Sequence, residues 1–174
     1  MRLLYLLILI ACSCTEQKSP PYAKIAHKIT DQTAKKLGKE AGLKLIGTGS
    51  GMMYNVRMLA MAFRYSKEID IDEGRELLMK AVSEYLSAIN SNEEIRPYLI
   101  NYPFLPKNIQ IRIFLSDSKG REIPLGQLAV IGSIDGVFEY LIEDPKTTCL
   151  KTIYEETYEE ALQKSSLNSV EMMQ

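Results

Sequence analysis

Apolar residues recur at every second position between residues 109 and 115. These residues are Ile109, Ile111, Ile113 and Leu115, and they alternate with Gln110 and Arg112, with Ser116 following. Side chains of a β-strand point alternately to the two faces of the sheet, so this spacing predicts a strand with one buried face. The next residues, Asp117-Ser118-Lys119-Gly120, are typical of a turn.

Two more strands are predicted immediately downstream. The first covers Leu125–Ser133 and the second covers Val137–Glu143, and Asp135-Gly136 between them is a strong hairpin signal. The three strands together indicate an antiparallel meander.

Helical patterns lie on both sides of the meander. Asp70 and Glu73 have the spacing of a capping box, and an apolar stripe continues from there to about Asn90. An earlier helix is predicted over residues 22–46, ended by a glycine cluster; its seam is Ile25, Ile29, Thr33, Leu37 and Ala41, and the cluster is Gly47, Gly49 and Gly51. A last helix is predicted after Asp144-Pro145, with a buried face of Leu150, Ile153, Tyr154, Thr157, Ala161 and Leu162.

The segment Met52–Lys67 fits two structures. Its Met, Leu and Ala residues favour a helix, whereas its glycine-rich start and its Tyr, Val and Phe content allow a long strand. We interpret it as a strand. The whole pattern then predicts an α+β domain, in which an antiparallel sheet of about four strands is packed by three helices.

The N-terminus has the layout of an export signal. Arg2 precedes an apolar run, Leu3–Ala11, that is too short to cross a bilayer and fits a removed signal peptide. Leu9-Ile10-Ala11-Cys12 resembles the lipobox of bacterial lipoproteins. The resemblance implies that Cys12 becomes an acylated N-terminus that binds the membrane, and that Ser13 directs the protein to the outer membrane, facing the periplasm.

This reading divides the chain into four parts. Residues 1–11 are the signal peptide, residues 12–21 the anchor and a polar, proline-bearing spacer, residues 22–165 a single domain and residues 166–174 a flexible tail. Cys14 and Cys149 would then share an oxidising compartment. They either pair, or Cys149 packs as a small hydrophobe, which we favour.

Charge and motifs exclude several classes of function. The 174 residues carry 21 basic and 22 acidic side chains, which does not indicate nucleic-acid binding. His27 is the one histidine, and no nucleophile motif accompanies it. The glycine cluster lacks the Lys-Ser/Thr of a phosphate loop. The acidic residues of Asp70–Glu76 are interpreted as a helix start stabilised by the helix dipole, and those of Glu155–Glu160 as a solvated helix edge. We expect no metal, no cofactor and no enzymatic activity.

The segment between Arg96 and Pro106 combines arginine, aromatic rings and proline, which protein interfaces favour. Because of this composition we predict Arg96, Tyr98, Tyr102 and Phe104 as protein-binding residues. Packing against the core is the alternative explanation for the same residues. Asn90–Phe114 is also similar to segments of uncharacterised envelope lipoproteins of intracellular Gram-negative bacteria.

Taken together, these features predict an anchored envelope lipoprotein that binds another envelope protein or has a structural role. A carrier of a small molecule or lipid is the alternative, and it would require an apolar pocket of roughly 300 Å³ or more. A periplasmic hydrolase, with His27 or an acidic pair as the base, is the third hypothesis.

Overall fold

The computed structural model describes residues 20–171, with side chains to residue 165. In this range the chain forms three helices and six strands. In chain order they are α1 (Pro21–Ala41), β1 (Lys44–Met52), β2 (Val56–Tyr65), α2 (Ile71–Asn90), β3 (Ile109–Leu115), β4 (Leu128–Ile134), β5 (Val137–Glu143), β6 (Leu150–Thr157) and α3 (Tyr158–Glu171). Two short 3-10 turns, Arg96–Tyr98 and Pro106–Asn108, lie between α2 and β3.

The six strands form one sheet in the order β1-β2-β3-β4-β5-β6. Neighbouring strands are antiparallel except β2 and β3, which pair in parallel. The reason is that α2 connects them, and a crossover helix returns the chain to the same end of the sheet. The α+β class and the three helices are confirmed, whereas the prediction of about four antiparallel strands is wrong: the sheet is mixed and has six.

The described helices lie across the sheet in the same order as they occur in the chain. Helix α1 contacts β1 and β2, α2 contacts β3, β4 and β5, and α3 contacts β5 and β6. The buried sheet residues that meet this helix layer alternate along the strands; they are Leu59, Met61, Phe63, Ile109, Ile111, Ile113, Ile131, Phe138 and Tyr140. The predicted alternation of β3 is therefore confirmed, and its buried side faces the helices.

The first helix ends five residues earlier than predicted. Gly42 adopts a left-handed conformation with φ of 69° and caps α1 after Ala41. The glycine cluster lies inside β1 rather than at a helix end, and Gly47 and Gly49 pair with Ala62 and Ala60 of β2. Strand β2 confirms the strand interpretation of Met52–Lys67.

The predicted last helix is wrong over its first half. Asp144 accepts hydrogen bonds from the backbone N–H groups of Lys146 and Thr147 and forms a turn, and residues 150–157 then form strand β6. The helix α3 begins only at Tyr158, where Thr157 and Glu160 form a reciprocal capping box. The predicted tail, residues 166–174, begins inside α3.

The second helix starts where the sequence predicts. Asp70 accepts a hydrogen bond from the N–H of Glu73, and the Glu73 carboxylate accepts one from the N–H of Asp70. The apolar stripe that follows is buried, with Leu78, Ala81, Val82, Tyr85 and Ile89 each at 0% exposure.

A buried ion cluster joins α3 and β6 to the rest of the domain. Glu156 of β6 is 3% exposed, so the prediction that it belongs to a solvated helix edge is wrong. One carboxylate oxygen accepts from Arg75 Nε at 2.6 Å and from the Tyr140 hydroxyl at 2.7 Å. The other accepts from Lys164 Nζ of α3 at 2.7 Å. Arg75 also pairs with Asp72.

These contacts keep Glu156 charged inside the domain. Burial alone raises the pKa of a carboxyl group, but the hydrogen bonds from Lys164, Tyr140 and Arg75 outweigh it and hold the pKa of Glu156 below its ordinary value. Burial and the neighbouring carboxylate raise the pKa of Tyr140. The Glu156 carboxylate therefore stays charged between two cations, Arg75 and Lys164, and accepts from the neutral Tyr140 phenol.

Replacing Glu156 with glutamine should destabilise the domain strongly. Glu156→Gln keeps the shape but leaves Arg75 without its buried counter-charge, which costs about 3 kcal/mol, the lower end for a broken buried ion pair. Urea unfolding measures the change. The matched control is Glu155→Gln on the adjacent, exposed residue, expected to change the free energy of unfolding by less than about 0.5 kcal/mol. Equal stability of the two variants would contradict the role of the cluster.

Glu156 should also make the domain sensitive to acid. Because its pKa is lowered in the folded state, the unfolded chain takes up the proton first, and stability falls as the pH drops below the ordinary carboxyl value of 4.5. We expect the free energy of unfolding of Glu156→Gln to fall less on acidification. The fall that remains comes from Asp117 and Glu160, whose pKa values are also lowered. Unfolding curves between neutral and acidic pH give both slopes, and identical slopes would exclude this assignment.

Candidate binding surfaces

The connection from α2 to β3 is held by two asparagine side chains. Asn90, the last residue of α2, accepts from the Phe104 N–H at 2.7 Å and donates to the Phe104 carbonyl at 3.0 Å. Asn108 accepts from the N–H of Leu105 and donates to the carbonyl of Arg57 at 2.9 Å. The connection is therefore fixed to both α2 and β2, although it has no long regular element.

The structure separates the four predicted protein-binding residues. Phe104 is 2% exposed and belongs to the core, so it supports the segment from inside and is not available to a partner. Tyr98 is half-buried and packs on Tyr22 of α1, with ring centroids 5.2 Å apart. Tyr102 is 53% exposed, and the Arg96 guanidinium lies 4.6 Å from its ring centroid. Arg96 and Tyr102 alone remain as surface residues of this set.

The hairpin between β1 and β2 extends this surface. Met53 and Tyr54 at its tip are 75% and 81% exposed. The backbone N–H of Ile100 donates to the Val56 carbonyl at 3.0 Å, which joins the hairpin to the α2–β3 connection. We call the exposed apolar residues of the two segments the tip surface: Met53, Tyr54, Ile100, Tyr102 and Leu105.

No described helix covers the face of the sheet opposite α1, α2 and α3, but the β3–β4 connection covers part of it, where Val130 is 3% exposed. Small residues of β1 and β2 form one part of it: Gly47, Gly49, Ala60 and Ala62. Beside them, Arg112 of β3 reaches across β4 to Glu139 of β5, with 3.7 Å between the charged atoms. Gly132 permits this, because a Cβ at that position would lie 3.4 Å from the Arg112 guanidinium.

A cleft of about 500 Å³ lies on the half of this face farthest from the tip surface. Residues of all six strands line it, together with the β3–β4 and β5–β6 connections. Its apolar residues include Ile46, Phe114, Val130 and Leu150. Its charged residues are Glu122, Glu143 and Arg64, and Arg64 forms no salt bridge with any described carboxylate. Phe114 is 39% exposed, which is unusual for a phenylalanine in the middle of a sheet.

The sequence contained two signals for this face that the alternation argument missed. Phe114 occupies a position of β3 where the pattern calls for a polar residue. Gly47, Gly49 and Gly51 alternate with period two, as residues on one face of a strand do. The sheet order decides which strands lie beside Phe114 and these glycines. The cleft itself could therefore not be predicted from the sequence.

A second, wider groove of about 730 Å³ lies between the end of α1 and the start of α2. Its rim carries charges of both signs, and two of them pair: Lys80 Nζ lies 3.5 Å from Glu40. Because Lys80 and Glu40 partly neutralise each other, the charges of this groove do not indicate a particular kind of ligand.

The remaining predicted residues do not form a cluster. His27 is exposed in the first half of α1, whereas the acidic start of α2 lies beside the end of that helix. In residues 20–171, no three His, Cys, Asp or Glu side chains are placed to hold a metal ion. Cys149 is exposed in the β5–β6 turn, so the expectation that it packs as a small hydrophobe is wrong.

The predictions that concern the N-terminus fall outside the described residues. These are the signal peptide, acylated Cys12, the spacer up to residue 19 and the alternative pairing of Cys14 with Cys149. Among the helices that the structure describes, none combines the length and the apolar character needed to cross a bilayer.

Comparison with protein-family models, with curated proteins and with solved structures finds no significant match for this chain.

Removing the Asn90 side chain should loosen the α2–β3 connection. Asn90→Ala leaves the partly buried N–H and carbonyl of Phe104 without their partner, which costs about 1–3 kcal/mol. We expect a lower free energy of unfolding and faster proteolysis within residues 96–104. Asn55→Ala removes an exposed hydrogen bond to Arg57 and serves as the control. Unchanged proteolysis of Asn90→Ala would show that other contacts hold the segment.

Proposed function

We propose that this protein is an envelope lipoprotein, held at the outer membrane by acyl chains on Cys12, whose α+β domain is a non-enzymatic binding module for another envelope protein. The anchor part of the proposal rests on the Leu9-Ile10-Ala11-Cys12 motif. Two or more acyl chains hold a protein firmly on a bilayer, so the domain would act as a tethered module.

The observation that carries the binding part is the sheet face that no described helix covers. All three described helices lie on the other side, and Ile46, Phe114 and Leu150 remain exposed by 39–51% around the cleft. A group of exposed large apolar side chains around a depression is typical of an interaction site. We assign partner binding to this face.

The cleft also indicates what kind of partner it fits. Ile46, Phe114 and Leu150 can bury an apolar side chain, whereas Arg64 can pair with a carboxylate and Glu122 and Glu143 with a cation. A protein segment with an apolar residue between an acidic and a basic one has this chemistry. The protein-binding role predicted for Arg96 and Tyr102, which lie at the opposite end of the domain, is not part of this proposal.

One observation favours a second candidate function. The cleft volume of about 500 Å³ exceeds the roughly 300 Å³ that a small-molecule site needs. A carrier that binds an apolar molecule with an anionic group at Arg64 is therefore the alternative.

Acylation should depend on Cys12 and not on Cys14. When cells that express the full chain are fed a labelled fatty acid, the wild type and Cys14→Ser should carry the label, whereas Cys12→Ser should not. Mass spectrometry of the N-terminal peptide locates the acyl groups. Label that persists in Cys12→Ser would refute the anchor.

A photo-crosslinking residue at position 114 should capture the occupant of the cleft. We expect one discrete protein adduct in cells, reduced when Arg64→Glu reverses the charge at the cleft edge. The control carries the same photo-crosslinking residue at position 39, which is exposed on α1. Native mass spectrometry of the purified protein tests the alternative: a small-molecule adduct that is lost in Phe114→Ala, without a protein adduct, would indicate a carrier.

A further inference from the structure

The tip surface lies next to the point where the N-terminal segment enters the domain. Tyr22, the second residue of α1, donates a hydrogen bond from its hydroxyl to the Met53 carbonyl at 3.2 Å, and its ring packs on Tyr98. The start of α1, the β1–β2 hairpin and the α2–β3 connection are therefore contiguous at one end of the sheet.

The length of the spacer keeps this end close to the anchor. Eight residues, 13–20, separate Cys12 from α1. A fully extended chain of that length spans at most about 28 Å. If Cys12 is acylated, the start of α1 is held within roughly that distance of the bilayer, and because the tip surface adjoins the start of α1, its contact with lipid becomes an intramolecular event that needs little affinity of its own.

The composition of the tip surface matches a bilayer interface. Tyrosine is enriched at the headgroup level of membranes, where its ring meets acyl chains and its hydroxyl meets water. Met53 and Tyr54 project from a hairpin with most of their surface exposed, and Ile100, Tyr102 and Leu105 continue the apolar area.

Cations frame this area. Arg57, Arg96 and Lys107 belong to the same two segments, and none of them pairs with a carboxylate among the described residues. Arg96 lies over the Tyr102 ring, which places its charge beside the apolar area, where lipid phosphates would be. Glu93 and Glu94 lie on the same connection, and Asp135 lies in the β4–β5 turn that packs against Lys107, so the charges balance and the apolar residues must supply the attraction.

From this geometry we infer that the tip surface inserts into the headgroup region of the bilayer that holds the Cys12 anchor. This inference rests on the proposed function, because it needs the acyl chains. Insertion fixes the orientation of the domain: the strand ends near the hairpin face the lipid, and the cleft at the opposite end of the sheet points away from the membrane and stays open to its partner.

The absence of tryptophan from the chain provides a direct test. Tyr54→Trp places a single reporter on the hairpin, in full-length acylated protein on phosphatidylethanolamine–phosphatidylglycerol vesicles that contain bromolipids. We expect a blue-shifted emission and quenching several-fold stronger than for Leu150→Trp. That control residue is 51% exposed and lies at the cleft end. In the Tyr102→Trp reporter, adding Met53→Asp should reduce the quenching.

Each other outcome has a distinct meaning. If mass spectrometry finds acyl groups on Cys12 but the Tyr54→Trp and Leu150→Trp reporters are quenched equally, the inference is wrong while the anchor stands. If the emission of the Tyr54→Trp reporter is blue-shifted without bromolipid quenching, a protein or a second copy covers the tip surface, which also overturns the inference. If Cys12 carries no acyl group, the proposed function fails, and the inference fails with it.

Discussion

Burial of one face of α2 organises the rest of the structure. This helix contacts α1, α3 and three strands, and each of its fully buried leucine or valine side chains contributes about 1.5–3 kcal/mol. Because α2 connects β2 to β3, its packing imposes the parallel pair in an otherwise antiparallel sheet. Arg75 on the same helix holds Glu156, and Asn90 at its end holds the α2–β3 connection. One helix thus positions both the core and the tip surface.

The domain has two different faces because all described helices lie on one side of the sheet, and its two ends also differ. The face under the helices is closed, whereas the opposite face exposes the cleft. The chain enters at the end that carries Met53 and Tyr54, and the cleft lies toward the other end. A tether at the first end and a binding site toward the second are compatible, because neither occupies the surface of the other. The anchor and the binding module of the proposal can therefore coexist in one small domain.

Local signals predicted the elements that local interactions stabilise. The Asp70–Glu73 capping box, the alternation of β3 and the Asp135-Gly136 turn each depend on residues close in sequence, and all three are present. The interpretation failed where one signal fits two structures. Asp144-Pro145 suits a helix start as well as a turn, and α3 begins instead at its own capping box, formed by Thr157 and Glu160. Of the residues predicted to bind a protein, Arg96 and Tyr102 lie at the surface and Phe104 is buried, and protein binding by Arg96 and Tyr102 stays a prediction.

The sequence alone determined that this chain forms an α+β domain with three helices, because hydrophobic periodicity and capping act over a few residues. It also contains the Cys12 motif, on which the anchor proposal depends. Only the tertiary structure decided that a glycine-rich segment pairs as an edge strand, that Glu156 is buried among cations, and that Val56 lies beside Ile100. These outcomes depend on contacts between residues far apart in the chain, and such contacts arise only when the sheet order places distant strands and helices side by side.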